Sequence, residues 1–323
     1  MSKQLRQIGG CAGVLMAVVA LATVAPVTAQ GPSRSTPVSN DGSMVLSPEV
    51  GLAVEMNPFR GTGVVSAVDR ALAVEGHVGG PDEMRPAASK IPSRETVLGF
   101  DSRQRVQPTT KYPQRATAYI TSSIGSCTGW FAGPDLVVTA GHCVHTGGPG
   151  GSWANNVVVH PGRNDATSPY GSFAAQSLHS VIGWTNSSNE EYDYGAINLT
   201  SNIGNTVGWY GYYWQTASLD NAPAIINGYP GDKASGTQWV GADKVRATTT
   251  RQVFYKVDTF GGMSGSPMWE DRPIGSPFCA NGPCAFGIHA YGTHGAAPHN
   301  ANNHGTRIRQ AVFNNIVNWV NLP

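Results

Sequence analysis

Three short stretches hold side chains that could act together as base, acid and nucleophile. In Val137-Val138-Thr139-Ala140-Gly141-His142-Cys143, an apolar run passes into small residues and then a histidine. Small neighbours let the backbone pack tightly behind the imidazole, and a disulfide at the next residue would hold it further. In Tyr192-Asp193-Tyr194-Gly195-Ala196-Ile197, one carboxylate stands at the head of an apolar run, where burial could orient it. In Gly261-Gly262-Met263-Ser264-Gly265-Ser266-Pro267, glycines let the chain turn sharply and expose both a hydroxyl and nearby N–H groups. A serine hydroxyl is a weak nucleophile until a base lies within hydrogen-bond reach. An imidazole base needs a partner on its other nitrogen to fix its tautomer. Each feature alone is more often structural; their co-occurrence in the order His142, Asp193, Ser264 points to covalent acyl transfer.

The elements that must position these residues are short. From Arg115 onward, apolar runs of four to eight residues alternate with Gly/Asn/Ser/Pro turns, for example Ala116–Thr121, Leu136–Ala140, Ala196–Leu199, Val253–Val257 and Cys284–His289. Such spacing predicts an all-β sandwich or barrel. Thr306 to Leu322 departs from it. Ile308, Val312, Ile316 and Val320 recur every four residues, which predicts an amphipathic C-terminal helix starting near Gly305-Thr306.

Composition narrows the class. Of the 323 residues, 13% are charged, against about 25% in ordinary globular chains, and the formal net charge is +1. No basic footprint for nucleic acid is present. A content of 40% hydrophobic residues excludes a disordered chain. Lys3 and Arg6, a short apolar run from Cys11 to Ala25, and small residues up to Ala29 fit a signal peptide over 1–29. The run is too short to span a bilayer, so export without a membrane anchor is expected. Residues 30–95 are Pro-rich, with Phe59 as their one aromatic, and all eight Trp follow Phe100. We read 30–95 as a pro-segment, with an attached linker as the plainer alternative. Loss of the signal removes Cys11 and leaves Cys127, Cys143, Cys279 and Cys284, for which three connectivities exist. Pairing sequence neighbours gives Cys127–Cys143 and Cys279–Cys284. The first loop, of roughly 15 residues, is worth about 3 kcal/mol in the chain-entropy picture.

Other residues suggest rival chemistry. His142-Cys143-x-His145 and His294, His299 and His304 are candidate metal ligands. A disulfide-bonded Cys143 cannot ligate, and the last three histidines read as a solvated Gly/Asn-rich loop, so no metal and no cofactor are expected. Gly147-Gly148-Pro149-Gly150-Gly151 lacks the Gly-Lys-Ser/Thr of a phosphate loop.

The order His, Asp, Ser is that of the chymotrypsin-like arrangement and differs from the Ser, Asp, His order of α/β-hydrolases. The sequence resembles the glutamyl endopeptidases, chymotrypsin-like serine proteases secreted by Gram-positive bacteria, and most of all the Bacillus type. The resemblance spans about Thr96 to Trp319. It is carried by Ser123-Ile124-Gly125-Ser126-Cys127-Thr128-Gly129-Trp130, Thr139-Ala140-Gly141-His142-Cys143, Pro161-Gly162-Arg163-Asn164, Tyr192–Ile197, Gly228-Tyr229-Pro230-Gly231-Asp232-Lys233 and Gly265-Ser266-Pro267.

It implies a double antiparallel β-barrel with a C-terminal α-helix: the first barrel over 96–203 carrying His142 and Asp193, the second over 204–305 carrying Ser264, and the helix over 306–323. It also implies the same two disulfides and an oxyanion hole of Gly262 and Ser264 N–H groups. The substrate carboxylate would be read by Thr259, His289 and a new amine at Thr96, freed by a cut after Glu95. A monomer acting on polypeptides, including its own pro-segment, is expected. Two features complicate this. Asp258 stands six residues before Ser264, where trypsin-like enzymes that cut after Arg or Lys carry an aspartate. Met263 stands where zymogens of this type place an aspartate to receive the new N-terminus. A non-catalytic binding protein on the same fold is the remaining alternative, although no triad member is missing.

Overall fold

The computed structural model describes residues 32–42, 55–74 and 96–322. The signal-peptide reading and the Glu95 cleavage position lie outside these residues. The described residues belong to one compact unit.

Two six-stranded antiparallel barrels form it. In the first, Thr117–Ser122, Gly125–Phe131, Leu136–Thr139, Val158–Pro161, Phe173–Val181 and Gly195–Leu199 pair around a ring. Phe173–Val181 closes it by bonding to both Val158–Pro161 and Gly195–Leu199. In the second, the strands are Pro223–Gly228, Trp239–Thr248, Gln252–Tyr255, Pro267–Arg272, Gly282–Tyr291 and Asn303–Arg307. Pro267–Arg272 closes this ring against Pro223–Gly228 and Gly282–Tyr291. Closure leaves little unpaired edge, which short strands rich in Gly and Asn need if they are not to pair with other chains. The fold expected from the sequence is the one observed, and so are both disulfides, Cys127–Cys143 and Cys279–Cys284.

The C-terminal helix runs over Gln310–Val320 and starts later than the sequence suggests. Gly305 and Thr306 belong to the last strand. Gly305 faces His289 so closely that a Cβ there would stand 2.0 Å from Ile288 O. The helix follows the second barrel in sequence but packs on the first. Its Trp319 carbonyl accepts from Asn198 Nδ2 at 3.1 Å, and the Trp319 ring stacks on His179.

The described parts of 30–95 lie against the barrels. Pro37–Ser39 adds a strand to Phe173–Val181, with Ser39 Oγ 2.7 Å from His179 Nδ1. Glu55–Met56 pairs with Gly211–Tyr213 beside the second barrel. The short helix Ala67–Leu72 is capped by Ser66, and its buried Asp69 accepts from Ser201 Oγ at 2.7 Å.

Buried His160 and His179 set a pH limit on stability. Desolvation pushes His160 down to about 3 and His179 to about 4. Between those values and the ordinary 6.5, the unfolded chain binds protons that the folded chain refuses. Stability therefore rises with pH through this window and is lost as pH falls below about 6.5, by up to about 1.4 kcal/mol per unit for each group. Urea midpoints should drop from pH 6.5 to pH 5, above the carboxylate range, and a His160→Gln/His179→Gln double variant should flatten the slope.

Candidate active site

His142 and Asp193 meet because of strand register. Leu136–Thr139 and Gly195–Leu199 are neighbours with Thr139 opposite Gly195, so the chain leaving one strand emerges beside the chain entering the other. The single turn Gly141–Cys143 follows the first, and the turn Glu190–Tyr192 delivers Asp193 to the second. Asp193 is wholly buried. Its Oδ2 lies 2.7 Å from His142 Nδ1, and its Oδ1 accepts the His142 backbone N–H at 2.8 Å. Tyr291 of the second barrel donates its hydroxyl to the same Oδ2. Burial, followed by the Asp193 charge, holds the Tyr291 phenol well above its ordinary range, so it stays a neutral donor. Gly141 is needed for the approach, because a Cβ there would stand 2.9 Å from Asp193 Oδ1 and from the Trp184 ring.

Ser264 comes from the loop before Pro267–Arg272. Gly265 takes φ +87, and a Cβ there would stand 2.1 Å from Thr128 O. Ser264 O accepts from Thr128 N at 2.9 Å and lies 3.7 Å from Cys143 Sγ, next to His142. Thr128, which the sequence did not single out, uses every polar group it has. Its hydroxyl donates to Gly262 O at 2.8 Å and accepts from Tyr229 N at 3.0 Å, while its carbonyl accepts from Thr139 Oγ1 at 2.7 Å. It therefore pins the serine loop of one barrel to the histidine-bearing strand of the other. Gly262, at φ +101, turns its carbonyl inward to Thr128, and Tyr229 O leaves no room for a Cβ there.

The residues assigned to substrate recognition lie along the second barrel. Thr96 O accepts from Thr259 N at 3.3 Å and from Asn303 Nδ2 at 2.6 Å, and Thr96 N donates to Asn303 Oδ1 at 3.2 Å. His289 is fully buried; its Nδ1 bonds the Tyr255 hydroxyl, and Tyr255 faces Asn303 across the sheet. Thr96 and Thr259 thus touch directly, whereas His289 is joined to them through Tyr255 and Asn303.

Asp258 is placed differently from the trypsin-like reading. It is buried, its Oδ1 accepts Leu98 N at 2.7 Å, and its Oδ2 accepts Ser102 N and Oγ at 2.9 and 2.7 Å. Those bonds make it an anchor for residues 98–102. Asp232 and Lys233 serve the same stretch. Arg103 pairs with Asp101 and Asp232, and Lys233 pairs with Asp101 at 2.7 Å. The Arg103 guanidinium holds the Asp101 carboxyl well below the usual carboxylate range. The expectation of a solvated loop is corrected for His304, which lies in a barrel strand with no exposure. His294 and His299 do lie on the loop, part-exposed, and all three rings gather near Glu190.

Two closed barrels, with a part-exposed histidine on a buried aspartate in one and a serine from a glycine-rich loop of the other pinned beside them, define a chymotrypsin-like serine endopeptidase. Residues 102–317 match the trypsin family, and the chain belongs to it and, within it, to the glutamyl endopeptidases. The chain is 40% identical over 293 residues to a glutamyl endopeptidase of Bacillus licheniformis, covering 90% of this chain and 89% of that one. It is 35% identical over 322 residues to a Bacillus subtilis protein named extracellular metalloprotease, covering 95% of each. A solved Glu endopeptidase in complex with MPD superposes with a TM-score of 0.60 at 31% identity, over 69% of this chain and 98% of that one.

Two substitutions separate positioning from contact. Thr128→Val keeps the volume but leaves Gly262 O and Tyr229 N buried without their partner, at a cost of about 1–3 kcal/mol each. We expect kcat to fall with KM little changed, and Thr128→Ser to restore it. Asp258→Asn should lower the melting temperature without shifting the ratio of kcat/KM between Glu and Arg substrates; a shift toward Glu by loss of Arg cleavage would make Asp258 a specificity residue.

Proposed function

We propose that the chain is an exported endopeptidase that cleaves after Glu, and more weakly after Asp, through His142, Asp193 and Ser264. Ser264 Oγ attacks the scissile carbonyl while His142 takes its proton through the ring nitrogen opposite Nδ1. Asp193 fixes that tautomer and stabilises the imidazolium. The developing oxyanion is bound by backbone N–H groups of Gly262 and Ser264, where one such donor is worth about 10²–10³ in rate. His142 then protonates the leaving amine, and water resolves the acyl-enzyme by the same path. Polypeptides are the substrates; no cofactor enters these steps.

The observation that carries Glu preference is the sealing of Asp258. With both of its oxygens bonded to Leu98 and Ser102, the second barrel offers the substrate side chain Thr259, His289 and the Thr96 backbone in place of a carboxylate. Cleavage after Glu95 would convert the Thr96 N–H at Asn303 into an ammonium, adding charge complementary to a carboxylate. Met263 is buried with its sulfur 4.0 Å from Arg103 Nη1 and cannot receive an amine, so maturation acts through the specificity pocket. In this reading 30–95 is a pro-segment and the mature enzyme a monomer. Export rests on the N-terminal charge and hydropathy pattern and on the name of the Bacillus subtilis relative. Among the described residues no helix is long and apolar enough to cross a membrane.

The test is a set of matched peptides ending in Glu, Asp, Arg or Phe before a leaving group. Glu should lead for the processed enzyme, and Ser264→Ala should lose about 10⁶ in kcat. A Glu95→Gln protein retaining its pro-segment should turn over the Glu peptide poorly. Preference for Arg would overturn the specificity, activity in Ser264→Ala the nucleophile, and full activity of the unprocessed form the role of the Thr96 amine.

A further inference from the structure

We propose that Glu190, His294, His299 and His304 form a closed binding site for a divalent cation of the zinc class. The set is assembled from distant parts of the chain: Glu190 opens the turn before Asp193, His304 lies in the last barrel strand, and His294 and His299 lie on the connection between the last two strands. The ligand atoms of Glu190, His299 and His304 lie within 4.8 Å of one another. His294 Nε2 stands 3.2 Å from Glu190 Oε2, yet the pair lacks hydrogen-bond alignment. That separation is close to the roughly 3.3 Å between donors on a tetrahedral zinc with bonds near 2.0 Å.

The second, independent observation is His304. It has no exposure, and neither ring nitrogen makes a hydrogen bond, with Nε2 3.8 Å from Glu190 Oε2. A buried imidazole with both nitrogens idle is costly unless something else uses one. Glu190 does not meet that need directly, because at 3.8 Å its Oε2 stands beyond hydrogen-bond distance of His304 Nε2. Imidazoles gathered around one carboxylate are a donor set that a metal of this class accepts. Gln252 Oε1, 3.1 Å from His299 Nε2, supplies the outer hydrogen bond that commonly orients a ligating histidine. Three nitrogens and one oxygen favour zinc over calcium or magnesium, which prefer all-oxygen sets.

Four protein ligands leave no open position, so the metal is structural and takes no part in bond cleavage. Its place is nonetheless consequential. Asp193 N donates to Glu190 O at 3.2 Å, and the Tyr291 ring, whose hydroxyl bonds Asp193, stacks on His304 at 5.3 Å. A bound ion would fasten the 292–302 connection to the turn that holds Asp193. The other histidine–cysteine group, Cys127, His142 and Cys143, offers no rival, since both sulfurs are in a disulfide. This proposal does not depend on Glu specificity.

The experiment uses Ser264→Ala protein, which cannot autolyse, stripped with EDTA and titrated with Zn²⁺ by calorimetry. One equivalent should bind, raise the melting temperature and be reversed by chelator. His294→Ala/His299→Ala, which spares buried His304, should weaken binding at least about tenfold, while His142→Ala should keep the full equivalent. Absence of stoichiometric binding, loss of the site in His142→Ala but not in the double variant, or equal affinity for Ca²⁺ would each overturn it. In wild-type enzyme, EDTA should lower the melting temperature and change the initial rate less than tenfold. Rate loss without a change in melting temperature would overturn the structural role.

Discussion

A carboxylate with no exposure must have its charge met by donors, or it takes up a proton and loses its use. Asp193 meets this demand with three: the backbone N–H of His142, the Nδ1 position of the same residue, and the Tyr291 hydroxyl. The first two come from the first barrel and the third from the second. Orientation of the imidazole is thus a by-product of satisfying a buried charge. Donation from Nδ1 commits the opposite nitrogen to act as acceptor, which is the state a general base needs. The same demand explains why the backbone around it is constrained. Gly141 has no room for a side chain, and Thr306 spends its hydroxyl on Asp193 O at 3.0 Å.

Neutral polar groups at the seam between the barrels follow the same rule at lower energy. Thr128 lies in a strand of the first barrel, but its hydroxyl and N–H are occupied by Gly262, Tyr229 and Ser264 of the second. The Cys127–Cys143 disulfide at the preceding residue binds that strand to the histidine turn. Serine loop and histidine turn are therefore referenced to one short stretch, Cys127-Thr128. Ser264 and His142 sit on different barrels without depending on the rigidity of the whole interface.

The strands, the C-terminal helix and the three candidate positions His142, Asp193 and Ser264 are legible because each rests on local pattern: alternation, a four-residue repeat, or a polar residue among small ones. What escaped is long-range. Thr128 carries no local mark of its role, since one of its partners, Gly262, lies 134 residues away. Tyr291 has a plain strand context, and its role exists only opposite Asp193. Gly305-Thr306 reads as a helix start because Gly and Thr favour caps, yet pairing with Gln252 and Ile288 claims Thr306 for the sheet. His304 looked solvated among Gly and Asn, but pairing with Phe254 and Tyr291 takes it inside. Composition separated 30–95 from the rest but gave no sign that Pro37–Ser39 would extend a barrel wall.

Low charge content acquires a physical meaning in the N-terminal stretch of the described catalytic region. Arg103 has its side chain fully buried between Asp101 and Asp232, Lys233 closes the network on Asp101, and Asp258 takes three donors from Leu98 and Ser102. All five of these charges hold residues 98–103 against the second barrel. A carboxylate at the position of Asp258 can bind a basic side chain only if its oxygens face open space; here backbone and hydroxyl donors from the N-terminal stretch occupy them first. The stretch that begins with Thr96, beside Thr259 and Asn303, therefore also covers both oxygens of Asp258 a few residues on. In the proposed enzyme, placing the new amine and covering the Asp258 carboxylate are one structural act, since the stretch that brings Thr96 to the pocket is the stretch whose donors take up the Asp258 oxygens.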